Sequence, residues 1–189
     1  MYILLLLLAA TFLISIFTTN WPVKFYHHYL LKQLAELLGA IPEKNGLLSS
    51  SVYSQINTIY RDKELKIRFV EASVDSIKEH SGLEIRMYIN VSAQGVLECY
   101  PMRKGKHEWG DFKRFLTGDP GLDRQWFILT NEPVAAGVIW DSCRFPDLLR
   151  YPGLEKLLIN QNELIVQFKY YYWSAEKVKQ FIDQLVHVC

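Results

Sequence analysis

The sequence has few cysteines and no excess of charge of either sign. Three cysteines in 189 residues are too few for the disulfide framework of a small secreted domain. Lysine and arginine total 21 against 20 for aspartate and glutamate, so the concentrated positive field of a protein that coats nucleic acid is missing. Ten glycines and seven prolines exclude a collagen-like or low-complexity chain. Half of the residues are hydrophobic, which is enough for a packed core.

Sequence motifs of the common catalytic and cofactor-binding sites are also missing. No glycine pattern of the G-x-x-x-x-G-K or G-x-G-x-x-G kind is present to hold a phosphate. The G-x-S-x-G turn of serine hydrolases and the paired C-x-x-C of zinc sites are absent as well. We therefore expect a protein without a cofactor, and a non-catalytic role is favoured over an enzymatic one.

The N-terminal segment has no charged side chain before Lys24 and is almost continuously apolar over residues 2–17. A helix of about 19 residues spans roughly 28 Å, close to the thickness of the hydrocarbon core of a bilayer. A cleavable signal peptide would need a basic start, a shorter apolar run and small residues at the cleavage site, and this segment has none of them. We therefore predict a signal-anchor, a single-pass transmembrane helix over residues 1–21.

The residues after this segment predict a membrane interface and an orientation. Trp21, Phe25 and Tyr26 would form an aromatic belt, with Lys24 beside them. Lys24 and Lys32 follow the span while no basic side chain precedes it, so the positive-inside tendency favours a cytoplasmic globular part. The odd number of cysteines agrees with a reducing compartment, where no thiol needs a partner.

The rest of the chain divides into an amphipathic helix, a linker and a globular domain. Apolar residues recur at helical spacing over residues 22–39, which predicts a juxtamembrane helix. Residues 40–51 contain proline, glycine, asparagine and three serines, a composition typical of a linker. Residues 52–189 are predicted to form one domain, because about 140 residues suffice for a single core.

Alternating apolar and polar residues over 64–69 and 83–91 predict half-buried antiparallel strands within this domain. Each is expected to pair with a sequence neighbour, the first with residues 52–59 and the second with residues 96–100. Helices are expected to begin at Pro133 and after Ser174. The predicted fold class is α+β: an N-terminal transmembrane helix, then one compact domain with a largely antiparallel sheet and two or three packing helices.

Polar residues from which a site could be built are concentrated in the irregular segment 103–124. The candidates are groups that can bind a metal, transfer a proton or pair with an anion: His107, Glu108, Asp111, Asp119, Asp123 and Arg124. Side chains this close in sequence converge only if the backbone folds back on itself. A solvated loop and a turn at Asp119 are therefore the favoured interpretations, and no metal site is expected.

The candidate segment also carries a family resemblance. Residues 117–127 have the sequence TGDPGLDRQWF, which resembles the T-G-D-x-x-x-D-R-x-F-like element of uncharacterised bacterial proteins with one membrane span and a C-terminal α+β domain. Trp126 stands at the place of the phenylalanine and Phe127 follows it, so the spacing differs by one residue. The resemblance covers about residues 52–186, including Asn131 to Val134 and the hairpin at 157–168, and implies no activity because that family has none assigned.

These observations lead to three hypotheses of function. The first is a membrane-anchored, non-catalytic interaction or accessory module, for example a minor subunit of a larger membrane complex. Its partners would be the lipid bilayer and other membrane-protein subunits, not nucleic acid. The second is a ligand-binding or enzymatic domain that uses residues 103–124. The third is a lipid sensor, in which Arg103, Lys104 and Lys106 attract anionic headgroups at about 1 kcal/mol each.

Overall fold

The structure is a computed structural model that describes residues 2–18, 21–44, 53–70, 82–90, 95–102, 111–168 and 174–188. Within these ranges six helices and nine strands follow one another along the chain. In chain order they are α1 (Tyr2–Thr18), α2 (Trp21–Leu38), β1 (Pro42–Lys44), β2 (Tyr53–Tyr60), β3 (Lys63–Val70), β4 (Gly82–Tyr88), β5 (Val96–Pro101), β6 (Lys113–Arg114), α3 (Pro120–Gln125), β7 (Trp126–Thr130), α4 (Pro133–Ser142), α5 (Phe145–Leu149), β8 (Leu154–Asn160), β9 (Glu163–Phe168) and α6 (Ala175–Leu185).

The described strands form one nine-stranded sheet in the order β1-β2-β3-β4-β9-β8-β5-β7-β6, and every neighbouring pair is antiparallel. The α+β class with an antiparallel sheet agrees with the alternation seen in the sequence. The predicted hairpin of β2 with β3 is present. The predicted pairing of β4 with β5 is wrong, because β9 and β8 lie between them in the sheet.

One row of apolar side chains crosses the sheet and marks its core face. The strands are in register such that seven buried residues follow one another across seven strands: Ile56, Ile67, Ile85, Val166, Leu157, Cys99 and Ile128. Because side chains alternate between the two faces of a strand, this register places the intervening polar residues on the opposite face. We call that opposite face the open face of the sheet.

Helices cover the core face. Their buried side chains belong to the same apolar cluster as the strand row, with Leu34 from α2, Ile139 from α4, Phe145 from α5 and Phe181 from α6. Helix α6 is strongly amphipathic, since Val178, Phe181, Ile182 and Leu185 recur at helical spacing and are all buried. The result is a two-layer fold of helices on one sheet, as expected for elements with a single apolar face.

The predicted transmembrane helix is wrong. Helix α1 has 17 residues, which corresponds to about 26 Å and falls short of the roughly 30 Å of a hydrocarbon core. Helix α2 is one residue longer but carries Lys24 and Lys32 among its polar residues. None of the helices over the described ranges combines the length and the hydropathy needed to cross a bilayer. The single-pass location, the signal-anchor and the cytoplasmic orientation that depended on this span are therefore not supported.

Helix α2 is part of the globular unit instead of a separate juxtamembrane helix. Leu31 and Leu34 are fully buried, and α2 contacts both α6 and β2. His27 stacks on Phe69 of β3 with ring centroids 3.6 Å apart and an angle of 7° between the rings. Burial lowers the pKa of His27 to about 4, so the ring is neutral at neutral pH. Strand β1 lies within the predicted linker, which moves the start of the domain to α2.

The cysteines do not support a reducing compartment. Cys143 is buried and disulfide-bonded, whereas Cys99 is buried and free. Structural disulfides persist mainly in oxidising surroundings. The disulfide at Cys143 therefore gives no support to the reducing compartment that the odd cysteine count had suggested.

Candidate functional site

The predicted candidate residues do not assemble into a metal or catalytic centre in the part of the chain that the structure describes. His107 and Glu108 lie outside the described residues. Asp111 and Arg124 are exposed. Across the described ranges, no three His, Cys, Asp or Glu side chains are placed to hold a metal ion. The second hypothesis, a ligand-binding or enzymatic site in segment 103–124, gains no geometric support.

Asp119 begins helix α3. Its backbone is extended, with φ −96° and ψ 105°, and its Oδ1 accepts hydrogen bonds from the backbone N–H groups of Gly121 at 2.8 Å and Leu122 at 3.3 Å. Pro120 then occupies the first turn, where its missing N–H is not needed. Gly118 adopts a φ of 82°, which side chains with a Cβ rarely tolerate. This arrangement is an N-cap, a structural use of the aspartate.

Asp123 and Thr117 close the same segment. Asp123 Oδ1 accepts hydrogen bonds from the backbone N–H and the hydroxyl of Thr117, each at 3.0 Å. The Thr117 hydroxyl oxygen in turn accepts from the N–H of Asp119 at 3.1 Å. Hydrogen bonds within one turn that leads into β7 thus account for the roles of Thr117, Asp119 and Asp123 in this segment. The two carboxylates maintain local structure and are not aimed at a shared ligand.

We expect that Asp119→Ala lowers the free energy of unfolding by about 1 kcal/mol, the usual cost of losing an N-cap. Asp119→Asn should retain most of the stability, because asparagine also caps helices well. Urea denaturation followed by circular dichroism measures both, with Arg124→Ala as an exposed control on the same helix. Equal losses for alanine and asparagine at position 119 would contradict the capping role.

The open face of the sheet is organised around a buried carboxylate. Glu84 on β4 is 3% exposed and accepts hydrogen bonds from Arg68 Nε at 2.8 Å, Arg86 Nε at 2.7 Å and Gln167 Nε2 at 2.8 Å. Burial by itself raises the pKa of Glu84, but the hydrogen bonds from Arg86, Gln167 and Arg68 outweigh it and hold that pKa below its ordinary value. The network joins β3, β4 and β9 on this face.

A surface groove of about 780 Å³ lies at one end of the open face, between β2, β3, β4 and the β8–β9 turn. Its charges are balanced, since Lys66 and Arg86 face Glu64 and Glu163. Arg86 is held by Glu84 and also by Glu163 at 3.4 Å. The groove is therefore polar without a preference for ligands of either charge.

Two side chains with acid–base chemistry, Cys99 and Tyr100, lie on β5. Burial raises the pKa of the Cys99 thiol, and burial together with the Glu98 carboxylate raises that of Tyr100. The Tyr100 hydroxyl donates to Glu98 at 2.6 Å. Neither group is ionised near neutral pH, so neither is prepared to act as a nucleophile.

Helix α1 presents the largest exposed apolar surface among the described residues. Eight large apolar residues of α1 are each 57% to 82% exposed: Tyr2, Ile3, Leu4, Leu5, Leu6, Leu7, Leu8 and Ile14. The residues predicted to form a membrane interface after α1 differ in exposure. Phe25 is 60% exposed, whereas Tyr26 packs against the core. Trp21 and Lys24 lie in α2, and their side chains are outside what the structure describes.

The hydrogen-bond network around Glu84 was not among the sites predicted from the sequence. The alternation over residues 83–91 places Glu84 on the polar face, and pairing of β3 with β4 would have placed Arg68 opposite to it. Gln167, however, comes from β9, which no local signal joins to β4. The proximity of Arg68 to Glu84 could therefore be predicted from the sequence, whereas the contact with Gln167 and the burial of Glu84 could not.

Comparison with known proteins yields one informative similarity. No protein-family model matches the chain, and no curated protein sequence matches it. The chain is similar to the crystal structure of the mycobacterial trehalose monomycolate transport factor A, TtfA, with a TM-score of 0.53 and 15% sequence identity over 86% of this chain and 96% of that chain. At this identity the similarity establishes a shared fold and nothing about shared ligands or partners.

Proposed function

We propose that this protein is a non-catalytic interaction module that joins a larger protein assembly through helix α1. The observation that carries the proposal is the exposure of α1, whose large apolar side chains from Tyr2 to Leu8 are at least 57% exposed. A helix that is hydrophobic on all sides is normally buried in other protein or in lipid. Because α1 fails the criteria for a membrane span, a groove on a partner protein is the favoured environment.

The apolar surface of α1 is large enough to hold a partner protein. Burying one leucine or isoleucine side chain stabilises a complex by about 1.5–3 kcal/mol, and α1 offers eight large side chains. Even after the cost of association, a few of these contacts are enough for a stable complex. The absence of charge on α1 removes any desolvation penalty for charged groups.

The structural neighbour adds support of a general kind. As its name states, TtfA is a transport factor for trehalose monomycolate. A comparable accessory role suits a chain whose described residues form neither a metal site nor an activated nucleophile.

Site-specific photocrosslinking in cells tests the proposal. A photoreactive residue at Leu6, which is 72% exposed on α1, should give one crosslinked protein species in high yield. The matched control is Val134 on α4, which is 77% exposed and should give none. Leu4→Glu in the same chain should abolish the crosslink at position 6, because a carboxylate cannot be buried in an apolar groove without a partner.

Three outcomes would overturn the proposal. Equal crosslinking from positions 6 and 134 would show that exposure alone produces the product. Crosslinks at position 6 to lipid only would replace the protein partner by a lipid environment. An unchanged crosslink in the Leu4→Glu chain would show that α1 is not held in an apolar groove.

A further inference from the structure

We infer that a cleft between α5, the β2–β3 turn and the C-terminal end of α6 binds a small molecule that carries a phosphate group. The cleft has a volume of about 680 Å³, within the usual range for small-molecule sites. Three arginines line it, Arg61, Arg144 and Arg150, against the carboxylates of Asp147 and Asp183. None of the residues that line the cleft belongs to α1.

The three arginines come from different elements that meet only in the folded chain. Arg61 lies in the turn between β2 and β3, where its φ is 49°. Arg144 and Arg150 flank α5, as its N-terminal and C-terminal capping residues. Because α5 has only five residues, Arg144 and Arg150 are separated by less than two helical turns, and both line the same cleft.

The acidic groups do not cancel this positive charge. Asp183 already accepts hydrogen bonds from the Tyr60 hydroxyl at 2.8 Å and from Lys179 Nζ at 2.7 Å, besides Arg61 at 3.0 Å. The pKa of Asp183 is correspondingly lowered: burial opposes this shift, and the hydrogen bonds from Lys179 and Tyr60 outweigh burial. Lys179 and Arg61 are both paired with Asp183, and His187 Nε2 contacts Arg61 at 2.9 Å, so the guanidinium groups of Arg144 and Arg150 remain against the one carboxylate of Asp147.

Two of the guanidinium groups are available to a ligand. The side chain of Arg144 is exposed and forms no ion pair with the residues that the structure describes. Arg150 contacts Asp119 at 3.4 Å, but the two side chains are 62% and 43% exposed. An exposed pair of this kind is worth little, so an anion can replace Asp119 at small cost.

The charge and the number of acceptor oxygens favour phosphate over a single carboxylate. Guanidinium groups recognise both anions with paired N–H donors. A phosphate monoester carries a charge of about −1.5 to −2 at neutral pH and three acceptor oxygens, which match several arginines better than one carboxylate does. The size of the cleft leaves room for an organic group beyond the phosphate.

Isothermal titration of the full chain with phenyl phosphate tests the inference. We expect binding that Arg144→Gln weakens by about tenfold, the loss that corresponds to one charge-assisted contact. Arg150→Gln should weaken it similarly and provides a second variant should the first fail to fold. Arg124→Gln removes the same charge from an exposed position outside the cleft and should change the affinity by less than about twofold.

Several results would overturn the inference. The first is the absence of binding at millimolar phenyl phosphate. The second is an equal loss of affinity in Arg124→Gln and Arg144→Gln, which would indicate only a general attraction of the anion to positive charge on the protein. Tighter binding of benzoate than of phenyl phosphate would reject phosphate as the recognised group. Retained affinity in Arg144→Gln and in Arg150→Gln would place the ligand elsewhere.

Discussion

Glu84→Ala is expected to lower the free energy of unfolding by about 2–3 kcal/mol. The substitution removes the acceptor of three hydrogen bonds and leaves the guanidinium groups of Arg68 and Arg86 facing each other across the open face. Loss of one partner of a fully buried ion pair costs about 3–5 kcal/mol. The expected loss is smaller here because the side chains of Arg68 and Arg86 are 35% and 30% exposed, which lets water solvate them.

Urea denaturation at neutral pH measures this loss, with Glu64→Ala as the control. Glu64 lies on β3 and is exposed, so its substitution should change the free energy of unfolding by less than about 0.5 kcal/mol. Equal losses for the two variants would show that the ion pairs around Glu84 add no stability to the fold.

The contribution of Glu84 should also depend on pH with a defined sign. Since its pKa is lowered in the fold, the stabilisation is fully present above its ordinary value of 4.5 and is lost as the pH falls below that value. His27 separately lowers the free energy of unfolding as the pH falls from about 6.5 to about 4. Over this range the unfolded state takes up a proton on the ring, whereas burial keeps the ring neutral in the folded state. The difference in the free energy of unfolding between wild type and Glu84→Gln does not contain the contribution of His27, because His27 is present in both proteins. That difference should shrink below about pH 4.5.

Phe181→Ala is expected to have the largest effect on stability, a loss of about 3–5 kcal/mol. Phe181 is fully buried at the interface of α6 with the sheet. Its ring packs edge-on against Phe168 at 4.6 Å and against Tyr151 at 4.9 Å between ring centroids. Removing the ring leaves a cavity that the rigid strand β9 cannot fill by relaxation, and it also removes the two aromatic contacts.

Thermal and urea denaturation measure the loss, and Gln180→Ala is the matched control because it is the preceding residue on α6 and is exposed. The control should stay within about 0.5 kcal/mol of the wild type. A small loss for Phe181→Ala would mean that α6 packs on the sheet less closely than the ring contacts indicate.

Much of the secondary structure could be predicted from local pattern. The alternation over residues 64–69 corresponds to β3, and the helices expected from Pro133 and after Ser174 are α4 and α6. These signals are reliable because backbone geometry fixes the periods of helix and strand within a few residues. Helix α3 was not expected, since its six residues are too few to show a period, although the aspartate–proline pair at its start is a capping signal.

The site residues could be predicted less well. Asp119 and Asp123 were singled out by their chemistry, yet the fold uses both to close a turn. The apolar character of residues 2–17 was evident from the sequence, while the membrane span deduced from it was not supported by the length of α1. Composition identified which side chains were available, but not what they contact.

The sequence by itself determined much of the secondary structure: the alternating strand β3, the starts of α4 and α6, and a first helix that carries only uncharged side chains. Tertiary structure alone decided that β4 pairs with β9, that α2 enters the core, and that Arg61, Arg144 and Arg150 line one cleft. The physical reason is that local periodicity depends on bonded geometry, whereas pairing of distant segments depends on which apolar faces fit together in a single core.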